Sequence, residues 1–145
     1  MSKRKTDVAP AEREKFEQFL FEMDDVLDVY VGTAAAQGYA LDYSLDRLAE
    51  LERYWRETGE SSADGTLANR ASRYLGEVFR RRLGGTWRLC DKGPRYLYNG
   101  LPVIAGYANM DIEFCPVEVF ASFVARGEAG MLRRAVESHL EFRAG

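Results

Sequence analysis

Side chains able to do chemistry are few and widely spaced in this 145-residue chain. It has one histidine, His139, and two cysteines, Cys90 and Cys115. A zinc site wants about four Cys, His or carboxylate ligands at short spacings, and no such spacing joins these three, so no metal is expected. Asp24 and Asp28 share one face of a helix, but a rigid helix lacks the alternating ligand geometry of a calcium loop. Ser138 and His139 are neighbours whose side chains diverge by about 100° on a helix, so they cannot form a dyad unaided. Cys115 precedes Pro116 at an expected helix start, where the N-terminal field favours a thiolate. It is the better nucleophile candidate, although both cysteines also read as small buried apolar side chains. Glu77 is the carboxylate to inspect for acid–base work. Arginines around it would depress its pKa and turn it toward an ion pair or a hydrogen bond near Gly85. An enzyme built on Cys115, His139 and Glu77 needs three separate elements to converge. No G-x-x-x-x-G-K-[ST] or G-x-G-x-x-G run is present, which removes the common phosphate-cradling loops, and no cofactor is expected.

Charge carries more information than those residues do. The net charge is -3, but residues 1–64 hold 8 Lys/Arg against 15 Asp/Glu, whereas residues 65–95 hold 8 against 2. The basic zone, with Arg80, Arg81, Arg82, Arg88, Lys92 and Arg95 between a helix end and a hairpin, raises the possibility of nucleic-acid binding, with Tyr96 and Tyr98 as stacking platforms. Arginines in a last helical turn also complement the negative helix terminus, and the acidic remainder opposes phosphate binding. Nucleic acid is the weaker reading.

The elements that must position these residues follow from periodicity. Pro10 suits a first helical position, and Phe16, Phe19, Leu20, Met23, Val26, Leu27 and Tyr30 recur at helical steps opposite Glu22, Asp24, Asp25 and Asp28. That helix is expected to stop between Gly32 and Gly38, with Ala34 to Ala36 able to extend it. Asp42 or Ser44 caps a second helix running to Gly59; a loop spans Glu60 to Gly65, and a third helix covers Thr66 to Leu83. Gly76 inside the third helix costs about 1 kcal/mol relative to alanine, which implies a backbone or a large ring packed against it. Strands are expected at 86–90, 95–98 and 101–105, with a weaker one at 111–114. Asn99-Gly100 reads as a type I′ hairpin turn between the second and third. Pro116 opens a fourth helix closed by Gly127, and a fifth runs from about Gly130 to Phe142. The expected fold is α+β: three N-terminal helices, a small antiparallel sheet and two C-terminal helices, forming one domain over 10–145 behind a flexible basic arm at 1–9.

Leu41-Asp42-Tyr43-Ser44-Leu45, Tyr74-Leu75-Gly76-Glu77-Val78, Gly84-Gly85-Thr86-Trp87 and Glu113-Phe114-Cys115-Pro116 occur in that order over residues 41–118. Their L-D-[YF]-S, Y-L-G-E-V, G-G-x-W and F-x-P pattern resembles a loose family of uncharacterised small bacterial domains. The resemblance implies a shared α+β fold and a bacterial source, with no activity attached. The same positions have a physical reading, with Gly76 against Trp87 as a close helix-to-sheet contact and Gly84-Gly85 as a helix stop.

The basic start at residues 1–6 lacks the apolar segment of a secretory signal, and no apolar run approaches the ~18 residues of a membrane span. The expected setting is the bacterial cytoplasm. The function expected is a non-catalytic protein-interaction module, of an inhibitor or immunity type that covers the cationic site of a basic partner with Glu22, Asp25 and Asp28. The arginines 80–82 and 88 and the tyrosines 96 and 98 form a second candidate contact zone. A monomer is expected, with helix one or the C-terminal helix covering the hairpin, rather than a dimer paired through an open sheet edge.

Overall fold

The computed structural model describes residues 9–59 and 65–143. The expected arm at 1–9, apart from Ala9, and most of the expected loop, 60–64, lie outside the described residues. Helices α1 (Pro10–Phe21) and α2 (Met23–Ala36) lead to a 3₁₀ turn (Leu45–Arg47), α3 (Leu48–Tyr54) and a π-helical turn (Trp55–Gly59). Then come α4 (Thr66–Leu83), β1 (Thr86–Leu89), β2 (Pro102–Ala105), β3 (Glu113–Phe114), α5 (Pro116–Arg126), α6 (Met131–Glu137) and α7 (Leu140–Arg143). The mixed helix-and-sheet class is as expected. No helix among the described residues is long and apolar enough to cross a membrane.

The organising element is α4. Residues 71–76 are buried without interruption, as are Val78, Phe79 and Leu83, so the middle of this helix is enclosed on all sides while its ends keep an exposed face. Helices α2 and α5 pack on it. Tyr74, Phe79, Phe114, Phe120 and Phe123 are almost wholly buried in the core, and burying one such phenylalanine side chain is worth about 1.5–3 kcal/mol. Gly76 explains how the sheet reaches α4, because a Cβ built there would overlap the ring carbons of Trp87. The sheet is antiparallel in the order β1-β2-β3, with Trp87 opposite Ile104 and Ile104 opposite Phe114. Pro102 opens the central strand opposite Leu89, before β3 begins to pair, where its missing N–H costs β3 no ladder bond. Helix α1 covers the β1 side, with Phe19 set edge-on to Trp87 at 5.1 Å and Arg13 3.4 Å from Asp91.

Three expectations are corrected. First, the long N-terminal helix is two helices broken at Glu22. The Phe19 carbonyl, whose helical partner would be the Met23 N–H, instead accepts from Arg73 Nη1 at 2.7 Å. Second, the fifth helix divides at Ser138–His139 into α6 and α7, so neither the three N-terminal nor the two C-terminal helices stand as counted. Third, residues 95–98 form consecutive turns, not a strand. Asn99 has no positive φ and so cannot occupy a type I′ turn; its Oδ1 accepts from the Gly93 N–H at 3.0 Å, and only Gly100 (φ +84°) is left-handed. The Asn99-Gly100 pair therefore closes a broad loop between β1 and β2, which Cys90 and Leu101 fasten by a backbone bond of 3.0 Å.

A buried carboxylate joins the C-terminal helices to the rest. Glu52, 2% exposed, accepts from the N–H groups of Gly130 (2.9 Å) and Leu132 (3.0 Å), satisfying donors that the start of α6 leaves free.

Gly76→Ala is expected to lose about 1–3 kcal/mol in urea unfolding because the added methyl displaces Trp87. Gly32→Ala is the control. It lies in α2 with nothing within 4 Å of the built Cβ, so it is expected to gain about 0.4–1 kcal/mol.

Candidate functional site

On α2 the buried positions Met23, Leu27, Tyr30 and Ala34 face the core, and the opposite face is presented outward. Asp25, Asp28 and Val29 lie on that outward side, flanked by Asp24, and Phe21, the last residue of α1, stands just before them across the break at Glu22. Phe21 is 83% exposed and Val29 59%. A large aromatic ring this exposed at a helix end is not a core residue, and the exposed carboxylates Asp24, Asp25 and Asp28 follow it in sequence. Periodicity missed Phe21 because it falls off the apolar stripe, and that displacement was itself the available signal. Leu20, counted in the stripe, is 39% exposed. Glu22 is half-buried, and its carboxylate accepts from Gln18 Nε2 at 2.6 Å.

Beside this face lies a polar cavity of about 330 Å³ lined by Asp24, Leu27, Asp28, Tyr43, Glu77 and Arg81. Tyr43 has φ +67°, the left-handed conformation that costs a bulky side chain of order 1–3 kcal/mol. Its N–H donates to the Tyr74 hydroxyl at 2.8 Å, and its ring stacks on Tyr74 at 4.8 Å. The Arg81 guanidinium lies 3.8 Å from the Tyr43 ring centroid. Asp42 accepts from both the N–H (3.0 Å) and the hydroxyl (2.6 Å) of Ser44, so the L-D-Y-S segment builds this tight turn instead of capping a helix. Acidic and basic zones separated along the sequence thus meet here, because α2 packs on α4.

The remaining candidates have partners of their own. Glu77 accepts from Trp87 Nε1 at 2.7 Å and from Arg80 Nη1 at 2.9 and 3.1 Å, while Arg80 Nε donates to the Gly85 carbonyl at 3.2 Å. This links the end of α4, the glycine turn and β1. His139 Nδ1 is 2.8 Å from the Tyr107 hydroxyl, and its ring packs against Phe79, Phe114 and Phe142. Burial holds the His139 pKa below its ordinary value of 6.5. Cys115 is buried, with Sγ 3.8 Å from the Pro102 carbonyl. Burial pushes its thiol up to about 11, which outweighs any thiolate-favouring field at the start of α5. Burial likewise raises the Cys90 pKa. Glu77, His139 and Cys115 each direct their polar atoms to a different partner.

In the second contact zone, Arg81, Arg82 and Arg88 are exposed. Tyr96 and Tyr98 are half-buried, edge to face at 5.6 Å, and pack on a small cluster of Cys90, Val103 and Cys115. They act as wall more than as open stacking platforms. Among the described residues no group of three His, Cys, Asp or Glu side chains is placed to hold a metal ion.

No family model matches the chain, and no curated protein or solved structure matches it either.

The pH dependence follows from His139. Its folded pKa lies below 6.5, so the unfolded chain binds the proton more readily, and the stability this group contributes is present above pH 6.5. Unfolding free energy is expected to fall as pH drops from 6.5 through the folded pKa, and His139→Gln is expected to flatten that limb. Parallel slopes for parent and variant across pH 7 to 5 would contradict it.

Proposed function

We propose that the chain is a non-catalytic protein-binding module whose contact face is the exposed side of the α1–α2 junction. The observation that carries this is Phe21, 83% exposed at the end of α1 and followed by Asp25, Asp28 and Val29, all exposed on α2. Binding energy concentrates in aromatic anchors surrounded by groups that exclude water, and a carboxylate border selects partners by charge and speeds their encounter. The partner this face fits is basic, with an apolar recess for the ring and cations for Asp24, Asp25 and Asp28. An inhibitor or immunity-type protein that masks a cationic site is the form of module that matches, and the bacterial cytoplasm is the setting we assign to it.

Engagement of the candidate catalytic groups supports the same reading. Glu77 is tied to Trp87 and Arg80, and both thiols are held protonated by burial. Arg80 and Arg81 are likewise committed, to Glu77 with the Gly85 carbonyl and to the Tyr43 ring, which weakens the case for a nucleic-acid stripe.

Affinity capture from the native host with the parent chain and with Phe21→Ser/Asp25→Lys/Asp28→Lys tests this. All three positions are solvent-facing, so the variant is expected to fold as the parent does. A basic protein recovered by the parent and lost by the variant, with its recovery weakened by salt, is the expected result. The same proteins recovered equally by both would overturn the assignment of the face.

A further inference from the structure

Arg73 is 5% exposed and carries a full positive charge into the interior beneath α1. Its Nε donates to Asn69 Oδ1 at 2.9 Å, its Nη1 to the Phe19 carbonyl at 2.7 Å, and its guanidinium lies 4.0 Å from the Phe19 ring centroid. Each of these partners is neutral. Among the described residues no carboxylate comes within ion-pair distance of Arg73; Glu22 acts on it only from farther away. Nη2 has no hydrogen-bond partner in the described structure, yet it is not among the polar atoms sealed from solvent. A buried cation without a counter-ion is costly, and proteins usually pair such a charge.

Arg73 borders a cavity of about 360 Å³ between α1, α4 and the β1–β2 end of the sheet, a volume within the range of small-molecule sites. Its walls include Phe16, Phe19, Leu89 and Pro102, which would surround an apolar body. Lys15 borders it too, exposed and without an ion pair among the described residues, and supplies a second cation. Glu12 and Glu22 stand on the same lining and would repel a multiply charged anion. We propose that this cavity binds a small monocarboxylate with an apolar body, its carboxylate meeting Arg73 Nη2 and Lys15 and its body lying against Phe16 and Leu89. The guanidinium is already oriented by Asn69 and the Phe19 carbonyl, so Nη2 is held ready for one carboxylate oxygen while Lys15 takes the other.

Hexanoate is a suitable probe, titrated into the ¹⁵N-labelled full chain beside its uncharged isostere hexanamide and inorganic phosphate. Hexanoate is expected to give saturable shifts at the amides of residues 15–19, 69–73 and 89, while hexanamide and phosphate give none at those positions. Lys15→Gln alters an exposed side chain, leaves the fold intact and is expected to weaken hexanoate by roughly two- to fivefold. Arg73→Gln is expected to weaken it by about tenfold or more. Because that variant also frees the Phe19 carbonyl and can loosen α1, the Lys15 variant and the hexanamide comparison decide the matter independently of it. Equal shifts from hexanoate and hexanamide, shifts that do not saturate, or unchanged hexanoate affinity in Lys15→Gln would overturn the proposal. Phosphate producing the hexanoate pattern would overturn the requirement for an apolar body.

Discussion

The Trp87 indole resting on the bare backbone of Gly76 is the contact on which the rest of the molecule depends. It lets β1 approach α4 more closely than any side chain at position 76 would permit. Glu77, one residue on, takes the indole N–H, and Arg80 carries the link to the Gly85 carbonyl, so the ring is fixed in orientation as well as in depth. Phe19 then sets its edge to Trp87, which brings the end of α1 over Arg73. Arg73 takes the Phe19 carbonyl, the helix breaks at Glu22, and Phe21, the last residue of α1, is left exposed. A steric allowance at one glycine is thereby transmitted to the face on which the proposed function rests.

Much of this chain of causes could be read from the sequence where the cause is local. A glycine inside an otherwise regular helix, followed by a tryptophan after a glycine pair, pointed to the Gly76–Trp87 contact. Pro10, Gly84, Pro116 and Gly127 marked helix ends that the structure keeps within a residue or so. What could not be read depends on partners distant in sequence. Arg73 lies 54 residues from the carbonyl it takes, so the break at Glu22 had no local signal. Asn99-Gly100 is a strong hairpin dipeptide, but Asn99 uses its side chain to tie down Gly93, and the segment before it turns repeatedly instead of extending. Cys115 was read from its place at a helix start, whereas enclosure by Val103, Tyr98 and Val117 sets its chemistry.

The charge pattern shows the same division. Counting along the chain separates an acidic first half from a basic middle, and packing of α2 on α4 then places Asp24 and Asp28 around the same cavity as Arg81. The outward side of α2 nonetheless keeps Asp25, Asp28 and Val29 exposed just beyond Phe21, so the α1–α2 junction combines negative charge with apolar area. The strained Tyr43 turn and the Tyr43–Arg81 stack stiffen the floor beside that face. A rigid, preformed surface loses less entropy on association than one that must be ordered.

The most direct measurement is chemical footprinting of the chain bound to its partner, using carboxyl labelling for the acids and hydroxyl-radical oxidation for the apolar and aromatic side chains. The account predicts that Phe21, Asp25, Asp28 and Val29 lose reactivity together in the complex, while Leu97 and Met110, exposed in the loops before and after β2, stay as reactive as in the free chain. Protection centred on Leu97 and Arg88, with Phe21 and Asp25 as reactive as before, would contradict it.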